Sequence, residues 1–143
     1  MLAALLVPLA LLAAQPPSEP DPSIRDGSAQ RKLDNARERW REAGVRSYRF
    51  RLRRQCFCPP ASPVLFVRRG KPVRPPGEFR NVATVPRLFR RVQSAIDDGA
   101  AGLRVRYGAR RGIPRSIWID GRAYIADDEI GYRVERFWRG IEQ

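Results

Sequence analysis

Residues 47–58, SYRFRLRRQCFC, decide how this chain folds. Tyr48, Phe50 and Leu52 alternate with Arg49, Arg51 and Arg53, which is the period of a strand with one dry face and one wet face. Such strands pair into an antiparallel sheet that needs covering on its apolar side only. Helices placed on that side give an α+β domain.

The neighbouring segments supply the cover and the remaining strands. Upstream, Leu33, Ala36, Trp40 and Ala43 recur at helical spacing, and Gly44 marks a stop. Downstream, Val64–Val67 reads as a second strand, and Gly70 turns the chain back toward Val73. Thr84 is an N-cap, with Pro86 in the first turn of a second helix. Val85, Leu88, Phe89, Val92 and Ile96 form its apolar stripe, and Gly99 ends it. Leu103, Val105 and Tyr107 alternate with Arg104 and Arg106. Ile117 and Ile119, then Ile130, Tyr132 and Val134, mark the last strands, which end near Trp138. The expectation is a single α+β domain over residues 31–140, an antiparallel sheet of four to five strands with two helices packed on one face.

Residues 1–14, MLAALLVPLALLAA, are uncharged and apolar. As a helix they would reach about 21 Å, short of a bilayer core of roughly 30 Å, so they read as a signal peptide or an uncleaved anchor. Residues 15–30 hold four prolines among small and polar residues and read as a linker. The expected location is secreted, or periplasmic and cell envelope. No cysteine stands near the cleavage region, so no acylation site is expected there.

Composition closes several chemistries. Of 143 residues, 28 are basic and 15 acidic, none is histidine, and two are cysteine. Without histidine there is no Ser-His-Asp triad, no imidazole base and no His-ligated zinc. Two cysteines cannot complete a Cys₄ site. No catalytic residue is assigned and no cofactor is expected. All the basic residues except Lys32 and Lys71 are arginine, and a net charge of +13 favours association with polyanions at low salt.

Three stretches are candidates for a site. Cys56 and Cys58 would lie about 6.6 Å apart on one face of a straight strand, near the limit for a disulfide. A bend would bring them together, export favours oxidation, and Pro59 and Pro60 oppose the bend. A disulfide and a pair of half-buried thiols both remain open. Asp120, Asp127, Asp128 and Glu129 concentrate acid in one loop. They read chiefly as partners for nearby arginines, and as weak metal candidates without the spacing of an EF-hand. Arg49, Arg51, Arg53, Arg104 and Arg106 project from strands. On neighbouring strands they would make a surface able to grip phosphates, with Phe57 and Trp118 adding stacking. On separate strands they are the solvated face of an arginine-rich chain.

Several ordered blocks resemble a bacterial domain-of-unknown-function family. They are L-D-x-A-x-x-x-W at 33–40, S-Y-R-F at 47–50, C-F-C at 56–58, T-V-P-R-L-F at 84–89, G-I-P-R-S-I-W-I-D at 112–120 and A-D-D-E at 126–129. The resemblance implies a small exported protein and no particular activity. The signal-like start, the absence of histidine and the lack of a nucleophile–base constellation make a non-enzymatic, envelope-associated binding or accessory module the leading expectation. The alternative is a polyanion-binding domain whose partner is an anionic envelope polymer, a membrane surface or nucleic acid. A metal-dependent enzyme at the acidic loop is a weaker third.

Overall fold

The computed structural model describes residues 17–125 and 127–141, so the signal-like segment lies outside the described residues. The elements, in chain order, are α1 (Pro22–Arg25), α2 (Ser28–Ala43), β1 (Tyr48–Cys56), β2 (Val64–Arg68), β3 (Lys71–Pro72), a 3₁₀ turn (Gly77–Val82), α3 (Val85–Asp97), β4 (Gly102–Tyr107), β5 (Pro114–Asp120) and β6 (Glu129–Arg139). The strands form one antiparallel sheet in the order β3-β2-β1-β6-β5-β4. The α+β class expected from the alternation is present. The strand count is six rather than four to five, because the return from Gly70 pairs as a two-residue edge strand against β2. Besides the two long helices there are α1 and the 3₁₀ turn.

The dry side of β1 is where the alternation placed it. Tyr48, Phe50 and Leu52 are buried, and they share a core with Leu65, Val67, Ile117, Ile119, Val134 and the apolar stripes of α2 and α3. Complete burial of a side chain such as Phe50, Leu33 or Leu88 contributes roughly 1.5–3 kcal/mol. Trp40 of α2 meets Tyr48 edge-on, with ring centroids 5.3 Å apart, and Tyr48 stacks on Phe137 at the same distance. α3 starts where its cap motif predicts: the Thr84 hydroxyl accepts from the Arg87 N–H. The Tyr48 hydroxyl accepts a second first-turn donor, the Val85 N–H, at 2.9 Å. A sheet residue thereby fixes the start of a covering helix.

Part of the stretch read as a linker belongs to the fold. Asp21 caps α1, and its carboxylate also accepts from the Leu103 N–H of β4, while its own N–H donates to the Ala100 carbonyl. A short-range reading of proline content does not detect a bond made across the chain to an edge strand. Gly112 has φ +72° and its α-carbon faces the Ala36 carbonyl of α2 so closely that a Cβ would collide with it. The β4–β5 turn can therefore close against the helix only with glycine.

Candidate functional site

Helices cover one side of the sheet, and the strand register shows what the other side carries. Directly paired residues share a face. Arg49 is opposite Trp138, Arg51 opposite Arg136, and Arg53 opposite Arg133. Arg133 is in turn opposite Ser116, Ser116 opposite Arg106, and Trp118 opposite Arg104. Phe66 flanks Arg49 from β2. The uncovered face thus carries arginines from β1, β6 and β4, with aromatic residues among them. Arg51, Arg53, Arg104, Arg106, Arg133 and Arg136 are all exposed.

β1 and β4 are not neighbours, since β6 and β5 lie between them. The arginines of β1 and β4 form one surface only because β6 contributes Arg133 and Arg136 to the gap. Neither is among the arginines singled out from the sequence, although Tyr132 and Val134 signal their strand and strict alternation places Arg133 on the wet face. Arg136 was harder to place. A bulge sets Arg51 and Leu52 against Arg136 and Val134, so Glu135 is an extra residue and the alternation breaks.

Two arginines rest on indoles. The Arg104 guanidinium carbon is 4.2 Å from the centre of the Trp118 ring, and that of Arg49 is 5.0 Å from the centre of Trp138. Trp118 lies down on β4 because Gly102 has no side chain: a Cβ there would come within 2.6 Å of Trp118 Cζ3. Among the described residues, acid on this face is confined to Glu135 near its middle and to the Asp120–Glu129 pair, which the register places on the same side at one end. Glu135 pairs with Arg53 at 3.6 Å and accepts from the Ser62 hydroxyl. Arg51 donates to the Ser62 carbonyl at 3.3 Å.

The remaining candidates gather at one end of the sheet. Asp120 and Glu129 are paired across β5 and β6, and Asp127 and Asp128 line a surface hollow with Asp98, Gly121, Arg122 and Ile125. Among the described residues no three His, Cys, Asp or Glu side chains are grouped to hold a metal ion. Among the described residues, Asp120 Oδ1 is buried without a hydrogen-bond partner. Cys56 and Cys58 are joined in a disulfide, with their α-carbons 5.2 Å apart, so the chain does bend at the end of β1. Phe57 between them is 88% exposed, and Tyr124 and Ile125 at the same end are exposed too. Phe57 lies beyond the paired part of β1, which ends at Cys56.

Residues 32–139 match a family of unknown function, DUF6174. The chain belongs to this family. The match spans β1 to β6, all of α3 and α2 except its first four residues, so the arginine-bearing strands all fall within the DUF6174 domain. No curated protein and no solved structure matches the chain. Among the described residues, no helix is long and apolar enough to cross a membrane.

Proposed function

We propose that this DUF6174 domain is a non-enzymatic binding module of the cell envelope, and that its open sheet face binds a polyanion. One observation carries the reading: arginines from three different strands share the only broad face of the sheet that the described helices leave uncovered. A guanidinium presents a planar fork of donors that matches phosphate oxygens, and it keeps its charge at any physiological pH. The strands fix where these side chains start, and indoles hold the guanidinium groups of Arg49 and Arg104, so part of the order that binding requires is already in place. Export, proposed from residues 1–14, would set the face toward anionic material outside the cytosol.

Binding of a phosphate polymer measured against salt tests this. With about four to six contacts, the log–log slope is expected between about −3 and −4. Replacing Arg51, Arg106 and Arg133 together by alanine should flatten it by about 2. The matched replacement of Lys32, Arg80 and Arg90, which lie on the helices and the 3₁₀ turn, should leave most of the affinity in place. Equal losses from the two triple variants would reduce the effect to net charge and refute a dedicated face.

A further inference from the structure

Resting on that reading, we infer that the face recognises the phosphodiester chain of a linear, base-free polymer of the polyol-phosphate type, and not nucleobases or a lipid surface. The indoles are the first reason. Stacking of bases requires an open aromatic face. Trp118 is held down over Gly102 on β4 and carries Arg104, and Trp138 carries Arg49. In this arrangement each indole serves as a shelf that orients a guanidinium, which is the geometry for gripping a phosphate, and the one exposed ring on this side, Phe66, stands on β2, outside the span from β1 to β4. The sheet's twist is the second reason. Successive strands rotate by about 20–25°, so the three steps from β1 to β4 accumulate roughly 60–75°. A flexible chain can follow such a twisted surface diagonally and meet arginines of β1 and β4 together, which a flat bilayer does less readily. The third reason is the placement of the apolar side chains. Phe57, Tyr124 and Ile125, the ones suited to entering a membrane, stand at the end of the sheet that holds Asp120, Asp127, Asp128 and Glu129, where anionic lipid would be repelled.

The test compares four probes on the full chain: poly(glycerol phosphate), an abasic phosphodiester oligomer, oligo-thymidylate of equal phosphate number, and vesicles of phosphatidylglycerol and phosphatidylcholine in equal parts. The three polymers are expected to bind alike per phosphate, and the vesicles more weakly. Stacking of even one base would favour oligo-thymidylate by roughly fivefold or more, and that result overturns the inference. Tighter binding to vesicles than to the polymers overturns it in favour of a membrane. Gly102→Ala, which lifts Trp118 from β4 and disturbs the shelf under Arg104, should weaken every polymer equally by about two- to fivefold. If that variant does not fold, Trp118→Leu serves, with the same expectation. A loss confined to oligo-thymidylate would again mean that bases stack. Absence of salt-sensitive binding to any probe would instead refute the polyanion function itself.

Discussion

Replacing Tyr48 by phenylalanine removes one oxygen atom and tests how the sheet holds α3. The Tyr48 hydroxyl accepts the Val85 N–H at 2.9 Å. Val85 is fully buried, and Tyr48 is only 2% exposed. The other first-turn acceptor is already engaged, since the Thr84 hydroxyl takes the Arg87 N–H. In the variant the Val85 donor therefore has neither a protein partner nor access to bulk water, which costs about 1–3 kcal/mol. Relief from burying the phenol offsets part of this, so a net loss of about 1–2 kcal/mol is expected. For a domain of this size that lowers Tm by roughly 4–8 °C. The alkaline limb supplies a second readout. Burial pushes the Tyr48 phenol up to about 12, against a smaller opposing pull from the Val85 N–H. The unfolded chain ionises first, near pH 10, so the stability is whole below that pH and is lost as pH rises through about 12. Urea midpoints measured from pH 7 to 12 should show a shallower alkaline loss in the variant. Part of the slope should persist, because burial raises the Tyr107 phenol as well. A neutral-pH change below about 0.5 kcal/mol with an unaltered alkaline limb would refute the tie between Tyr48 and α3.

Other perturbations probe separate parts of the fold. Gly112→Ala should cost at least about 2 kcal/mol in urea unfolding, from the left-handed backbone and the collision with the Ala36 carbonyl. Burial works against the charge on Asp21, but hydrogen bonds from the Ser23 hydroxyl and from the Leu103 and Ser23 N–H groups hold its pKa below the ordinary carboxylate value. Its contribution is therefore present above about pH 4 and lost as pH falls further, and Asp21→Asn should flatten that acid limb while speeding exchange of the Leu103 amide. The disulfide spans only two positions, so Cys56→Ser with Cys58→Ser should cost about 1–2 kcal/mol or less. Intact mass before and after reduction should differ by the two hydrogens of the bond.

Much of the fold is written locally. The alternation in residues 48–53, the cap at Thr84 and the stripe from Val85 to Ile96 each reappear in place, because each depends on contacts within a few residues and on one buried side. What was misread depends on distant partners. The order of strands put β6 and β5 between β1 and β4, and no local pattern encodes such an order. The binding of Asp21 to β4 and the bulge at Glu135 likewise arise between segments far apart in the chain.

Taken alone, the sequence determined that this is an α+β chain with wet, arginine-bearing strands and no histidine chemistry, since side-chain type and period fix which surface must be hidden. Only the tertiary structure decided that those arginines join across one face, with Arg133 and Arg136 bridging them and two indoles beneath Arg49 and Arg104. Strand pairing set that arrangement, because which residues become neighbours on a sheet depends on register and order, and both are settled by packing of the whole core.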